Sequence, residues 1–84
     1  MTTFTATALR SLLGTHLGVD VDEDTLADPG TRFDDVEVDS LGLFELFSAV
    51  EQAYGVVVPD DLIGDLDRPT ALLAYVGERL ETAA

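Results

Sequence analysis

The segment from residue 40 to residue 54 constrains the fold of this chain more than any other. At about 100° per residue, one side of this segment is continuously apolar and comprises Leu43, Leu46, Phe47, Val50 and Tyr54. The opposite side carries Leu41, Phe44, Glu45, Ser48 and Gln52, with Glu51 at its edge. We therefore expect a helix with one buried face. Its outward face holds more apolar surface than a surface helix needs, so another segment covers it or a partner contacts it.

Two further helices follow from apolar residues that recur at helical spacing. Residues 4–17 form the first, which Thr2 or Thr3 would cap and Gly18 would end. The last helix begins at Pro69, because proline is favoured in the first turn. The apolar stripes are Leu9, Leu12, Leu13 and Leu17 in the first helix and Leu72, Leu73, Val76 and Leu80 in the last.

The remaining segments connect these helices. Residues 18–39 are acidic and contain a Pro29–Gly30 turn signal, while Phe33, Val36 and Val38 would attach this connection to the core. Residues 56–58 are three valines followed by a proline, which favours an extended link. A short helical turn would begin at Pro59. The expected fold is all-α: a single domain over residues 1–84, with three main helices, one short helix and a long acidic loop between helices 1 and 2.

Within the acidic connection, Asp20, Asp22 and Asp24 alternate as at the start of a calcium-binding loop. The rest of that pattern is missing, because Thr25 replaces the required glycine and Thr31 replaces the bidentate glutamate. We interpret the acids as a solvated loop and predict no metal site.

The charge of the chain limits its partners. The net charge is −13, lysine and cysteine are absent, and the cations are four arginines. Nucleic acids need cationic contacts and are therefore excluded as partners, whereas basic protein surfaces would be attracted. No apolar run approaches the roughly 20 residues of a membrane span, and the N-terminal residues do not resemble a secretory signal. We expect a cytoplasmic monomer without thiol chemistry of its own.

Catalysis by this chain alone is not expected. Ser40 is the best candidate nucleophile, but it needs a base to activate it. The single histidine, His16, falls within the apolar stripe of the first helix, where we expect a packed side chain. A small hydrolase is therefore disfavoured, and no catalytic residue is assigned.

Ser40 has two other interpretations from position alone. It stands at the predicted start of a helix, where serine is commonly a cap that accepts a backbone hydrogen bond. The same place suits an attached phosphate, because unpaired N–H groups and the positive end of the helix dipole lie there. The capping role is the simpler of the two.

Taken together, segments spread over nearly the whole chain resemble those of acyl carrier proteins. The Asp39-Ser40-Leu41 tripeptide alone is a weak signal, but it becomes a strong one together with the spaced glutamate, Tyr54-Gly55 and Pro59-Asp60-Asp61 behind it. The matching segments are residues 12–19, 33–41, 45–46, 50–51, 54–56, 58–61 and 69–76.

The resemblance implies a four-helix bundle that is not an enzyme. Ser40 would carry 4'-phosphopantetheine, transferred from coenzyme A by a phosphopantetheinyl transferase, and acyl or ketide intermediates would be tethered to it as thioesters. An acyltransferase or ligase, a ketosynthase and other pathway enzymes would dock through basic patches. The docking residues implied for this chain are Asp39, Leu41, Phe44, Glu45, Ser48 and Glu51. Leu46, Phe47, Val50 and Tyr54 would line the core that receives cargo in some carriers.

Two positions depart from the family pattern. Glu37 stands where glycine is usual, and Gly42 stands where a larger residue is common. Glycine costs helix stability, by up to about 1 kcal/mol relative to alanine. We favour a carrier of polyketide or other specialised biosynthesis. The alternatives are an aminoacyl carrier of the D-alanyl type, a carrier of fatty-acid synthesis, and a cofactor-free acidic module that binds a basic partner.

Overall fold

The computed structural model describes residues 3–82, which form helices and turns without a β-strand. Helix α1 spans Ala6–Leu12 and continues as a π-helical turn over Leu13–Leu17. Helix α2 spans Glu23–Ala27, α3 spans Ser40–Tyr54 and α4 spans Pro69–Thr82. Two 3₁₀ turns occupy Phe33–Val36 and Asp60–Leu62. The predicted all-α fold with four helices is confirmed. No helix in residues 3–82 is both long and apolar enough to span a membrane.

The ends of the helices follow local hydrogen-bonding rules. Thr5 caps α1, since its side chain accepts a 3.3 Å hydrogen bond from the Ala8 N–H. The prediction of Thr3 as the cap is therefore wrong, and Thr2 lies outside the described residues. Gly18 and Gly55 adopt left-handed conformations, with φ of 68° and 71°, at the ends of the first helical segment and α3. Both are the expected C-terminal glycines.

The acidic connection is more ordered than the predicted loop. Its first half contains α2, whose start is fixed by a 2.8 Å hydrogen bond from the Thr25 N–H to Asp22 Oδ1. Leu26 attaches this helix to the core and is fully buried. The short helix predicted at Pro59 is only a 3₁₀ turn, so the fourth α-helix lies in the connection instead. Five residues with one buried leucine are too few to show a helical period.

One hydrophobic core joins all these elements. Phe33 and Val38 are 1% and 2% exposed, which confirms that they attach the connection to the core. At the other end of the molecule the rings of Phe4 and Tyr54 meet edge to face, 5.1 Å apart. The fully buried leucines and valines that fill the centre are Leu9, Leu13, Leu26, Leu46, Val50, Leu72 and Val76.

Polar contacts fasten the connection to the start of α4. The Phe33 N–H donates to the Asp67 carbonyl at 2.9 Å, and Arg32 Nη2 lies 3.1 Å from Asp67 Oδ2. Arg68 Nη1 donates to the Pro29 carbonyl at 3.0 Å. These bonds fix the segment that leads into α3, and so they fix the position of Ser40.

Candidate functional site

Ser40 is the first residue of α3, but it does not cap the helix. Asp39 is the cap, because its Oδ1 accepts a 2.8 Å hydrogen bond from the Gly42 N–H. The interpretation of Ser40 as a helix cap is therefore wrong. The Ser40 side chain is exposed, and its hydroxyl makes no hydrogen bond with any residue in the described part of the chain. A group attached to this oxygen would extend into solvent without breaking an existing interaction.

The environment of Ser40 suits an attached phosphodiester in two respects. The backbone N–H groups at the start of the 15-residue helix α3 carry partial positive charge, which stabilises an anion there. The exposed hydroxyl is also reachable by a second protein. The carboxylate of the neighbouring Asp39 opposes a negative group, so this acidic surface is better suited to attracting a basic protein than to holding a free anion.

Glu37, three residues before Ser40, has an unusual backbone conformation. Its φ is 65°, and it is the only non-glycine residue among the described ones with a positive φ. The left-handed region is the one that glycine adopts without steric cost. The chain therefore keeps a left-handed turn at position 37 although the residue is glutamate, and this conformation costs free energy of folding.

Gly42 has a packing role that the sequence did not indicate. A Cβ atom at this position would lie 2.9 Å from Leu17 Cδ2 and 3.2 Å from Val38 Cγ1. Both distances are shorter than ordinary van der Waals contact. The absence of a side chain therefore lets the end of the first helical segment approach the first turn of α3.

The outward face of α3 is uncovered. Leu41 is 70% exposed and Phe44 is 37% exposed, so residues 3–82 leave Leu41 largely uncovered and cover Phe44 only in part. Glu45 and Glu51 are exposed beside them. The six residues predicted to dock partners, all of which are exposed, are Asp39, Leu41, Phe44, Glu45, Ser48 and Glu51. By contrast Leu46, Phe47 and Val50 are buried, and Tyr54 is half-buried.

His16 is the residue at this surface that the sequence interpretation missed. The expectation of a packed side chain is wrong, because His16 is exposed. It lines an open cavity of about 330 Å³ together with Leu41, Phe44 and Glu45. The π-helical turn over Leu13–Leu17 explains the error. Such a turn contains more residues than an α-helical one, so the ordinary period places position 16 on the wrong face.

These features together define a class of protein. A small helical bundle with an unengaged serine hydroxyl at a helix start, beside an exposed apolar and acidic face, has the features of a protein on which other proteins act.

Comparison with known proteins identifies the family. The family model for the phosphopantetheine attachment site matches residues 6–76. An anthracycline acyl carrier protein of Streptomyces peucetius is 38% identical over 77 residues, covering 90% of each chain. The acyl carrier protein of the actinorhodin polyketide synthase of Streptomyces coelicolor is 39% identical over 77 residues, covering 92% of this chain and 86% of the relative. The solved holo form of the actinorhodin carrier superposes with a TM-score of 0.79 at 37% identity, covering 99% of this chain and 98% of that one.

The chain therefore belongs to the phosphopantetheine-binding acyl carrier proteins. It is a carrier with covalently attached 4'-phosphopantetheine, not an enzyme, and other enzymes of its pathway act on it. The thiol of the attached group provides the thioester chemistry that the cysteine-free chain lacks.

Proposed function

We propose that Ser40 is the attachment residue and that the chain carries ketide intermediates in a polyketide pathway. The observation that supports the attachment most directly is the state of the Ser40 hydroxyl, which is exposed and free of hydrogen bonds within the described residues. Asp39 caps α3, so a group attached to Ser40 would leave the cap of the helix intact. The phosphate would adjoin the positively polarised start of the helix.

The polyketide assignment rests on the named relatives. Relatives that match about nine-tenths of this chain are carriers of anthracycline and actinorhodin synthesis. Among the alternatives, the aminoacyl carrier rests on Gly42, because glycine at this position also occurs in D-alanyl carrier proteins. The close approach of Leu17 gives that glycine a structural reason instead. We therefore keep polyketide biosynthesis as the proposed pathway.

A loading experiment tests the cargo. We expect the modified protein to accept a malonyl unit from malonyl-coenzyme A in the presence of a polyketide malonyltransferase. We expect no loading by an adenylating enzyme supplied with alanine. Intact mass follows both reactions, and loading with the amino acid instead of malonate would contradict the proposal.

The outward face of α3 is proposed as the docking surface for the phosphopantetheinyl transferase, the acyltransferase or ligase, and the ketosynthase. Its exposed Leu41 and Phe44 provide apolar contact, and Glu45 and Glu51 provide charge that complements a basic patch. We place the carrier in the cytoplasm, where coenzyme A and these enzymes meet, and we expect it to act as a monomer.

Charge reversal tests this surface. Glu45→Arg or Glu51→Arg should lower kcat/KM of the transferase by roughly tenfold, because rim charges act mainly on the association rate. Asp65→Arg, at an exposed acid beyond the 3₁₀ turn over Asp60–Leu62, is the matched control and should have little effect. Circular dichroism should be the same for all three variants. If kcat/KM falls equally for Asp65→Arg and for the α3 variants, the loss reflects the change in net charge and not a docking contact on α3.

A further inference from the structure

Two open cavities adjoin each other on the flank of α3 that faces the π-helical turn. The first, of about 250 Å³, begins beside Ser40, since both neighbours of that residue in the sequence line it. The second, of about 330 Å³, continues along the helix as far as Gln52. We call the two together the α3 groove. The residues common to both cavities are His16, Leu41 and Glu45.

The cavity beside Ser40 depends on the absence of a side chain at Gly42, which lines it. A Cβ atom at this position would lie 2.9 Å from Leu17 Cδ2 and 3.2 Å from Val38 Cγ1, and both of these residues also line the cavity. A larger residue would therefore crowd the walls of the cavity. The space next to Ser40 thus depends on one of the two positions at which this chain departs from the family pattern.

The lining of the α3 groove combines apolar walls with polar side chains that are free to bind. Leu41 and Phe44 provide exposed apolar surface. The polar side chains make no hydrogen bond with any other residue among 3–82, and all of them are exposed. Such a lining suits an uncharged ligand that alternates apolar groups with amides. These polar residues are His16, Glu45, Ser48 and Gln52.

We propose that the α3 groove binds the phosphopantetheine arm attached to Ser40. Beyond its phosphate the arm is uncharged and contains a geminal dimethyl group, a hydroxyl group and two amides. The dimethyl group would contact Leu17 and Leu41. The amide N–H groups would donate to the Glu45 carboxylate, and His16 would hydrogen-bond with an amide through a ring nitrogen. The inference rests on the proposed attachment at Ser40 and adds to it the place where the arm lies.

The length of the arm agrees with the length of the groove. The extended arm reaches on the order of 17 Å from the serine oxygen to its sulfur, at the rise per bond of an extended amide chain. Ser48 lies about 12 Å beyond Ser40 along the helix axis. The remaining length lets the arm turn round the helix from Ser40 to the flank that carries Leu41. The sulfur would then lie near Ser48, where the groove is open.

The groove is a better place for the arm than the interior of the bundle. Leu46, Phe47 and Val50 are 0%, 2% and 0% exposed, so an arm could enter between them only if the core opened. Opening the core would expose apolar surface to water and would cost stability. The α3 groove accepts the arm without any such change.

The position of the arm has a consequence for partner binding. The groove shares four residues with the proposed docking surface, and a partner that covers this surface would displace the arm. Docking and release of the arm would therefore occur together. The shared residues are Leu41, Phe44, Glu45 and Ser48.

The test uses protein modified with coenzyme A whose pantetheine portion is isotope-labelled, and it records NOEs between the arm and the protein. We expect NOEs from the geminal methyl groups to Leu17 and Leu41. Relative to the unmodified protein, the amide signals of residues 16, 41, 45 and 48 should shift. NOEs to residues 60–63 instead, or shift changes confined to residues 39–41, would overturn the proposal.

A matched pair of variants locates the contact. Leu41→Ser removes an apolar wall of the groove and should reduce the shift changes at residues 45 and 48 by roughly twofold or more. Val57→Ser is the control, because Val57 is also exposed, at 63%, but lies outside the groove. It should leave the shift changes as they are in the wild type. An equal reduction in both variants, or none in Leu41→Ser, would also overturn the proposal.

The groove and the proposed function fail separately. Intact mass and peptide mapping establish attachment at Ser40 before any spectrum is recorded. Complete modification at Ser40 without NOEs to the groove would reject the binding of the arm and leave the carrier function intact. A chain that is not modified at Ser40 would contradict both.

Discussion

At the residue scale, two positions near Ser40 show how far this chain departs from the family pattern and why it tolerates the difference. Glu37 keeps a left-handed backbone that favours glycine, with φ of 65°. Gly42 leaves room for the Leu17 side chain, since a Cβ atom added at position 42 would lie 2.9 Å from Leu17 Cδ2. Glu37 lies just before α3 and Gly42 lies in its first turn. Both therefore affect the position of Ser40 through the geometry of the backbone.

The first prediction concerns Glu37. Glu37→Gly and Glu37→Ala remove the same charge, but only glycine adopts positive φ without steric cost. We expect the glycine variant to be more stable than the alanine variant by about 1 kcal/mol, since the left-handed conformation costs an L-residue about that much. Urea denaturation followed by circular dichroism measures the difference. If the alanine variant is the more stable of the two, the left-handed turn is not the controlling feature.

The second prediction concerns Gly42. Gly42→Ala should gain up to about 1 kcal/mol of helix propensity but lose about 1–3 kcal/mol to overpacking, for a net destabilisation of about 1 kcal/mol. Gly77→Ala is the matched control, because a Cβ at this position in α4 meets nothing within 4 Å. It should stabilise the fold by about 0.5–1 kcal/mol. Chemical denaturation of both variants decides, and a stabilising Gly42→Ala would show that Leu17 and Val38 move aside freely.

At the scale of elements, the long amphipathic helices were predictable and the short ones were not. The apolar period placed α3 at residues 40–54 and the start of α4 at Pro69, where the structure has them. Helix α2 depends on one buried leucine and a cap, which leave no periodic pattern. The π-helical turn left no signal in the apolar period, and it places His16 on the surface beside the outward face of α3 instead of in the core. The part of the candidate site on α3 was therefore predicted from the sequence. His16, on the neighbouring π-helical turn, was not.

The third prediction concerns the cap of α2 and acid pH. Hydrogen bonds from the Thr25 side chain and N–H, with a smaller effect of Arg10, lower the pKa of Asp22 from its ordinary value of 3.8. A carboxylate with a lowered pKa in the folded state stabilises the fold above its unfolded pKa and loses that contribution as the pH falls through the folded pKa. We expect α2 to loosen only below about pH 4, as followed by the amide signals of Thr25 and Leu26.

Asp22→Asn provides the control for this titration. Asparagine caps helices as well as aspartate does but does not titrate in this range. The amide signals of α2 in the variant should therefore be independent of pH where those of the wild type change. Loss of α2 at the same pH in both proteins would assign the transition to other acids.

At the scale of the whole molecule, the net charge of −13 acts on both stability and recognition. The molecule measures 33 × 25 × 23 Å, so neighbouring acidic groups on its surface are crowded together. Their repulsion depends on salt, because the screening length is about 10 Å in 0.1 M salt. The same charge attracts basic partners and speeds their encounter. Added salt should therefore stabilise the folded state and weaken the binding of basic partners.

The fourth prediction follows from this opposition. Raising sodium chloride from 10 mM to 1 M at neutral pH should increase the free energy of unfolding by on the order of 1–3 kcal/mol, since many unit-charge pairs each repel by a few tenths of a kcal/mol. Over the same range the KM of the carrier for its transferase should rise. Urea midpoints and steady-state kinetics measure the two effects. A fold that salt leaves unchanged would mean that repulsion is already relieved by local pairing.

The central claim is that Ser40 bears the phosphopantetheine arm. The direct measurement is the intact mass of the wild type and Ser40→Ala after incubation with coenzyme A and a broad-specificity transferase, followed by peptide mapping. The chain has two other serines, Ser11 and Ser48, as internal comparisons. We predict one added group on the wild type, on the peptide that contains Ser40, and none on the variant. A modified Ser40→Ala protein, or an unmodified folded wild type with a transferase that is active on another carrier, would contradict the assignment.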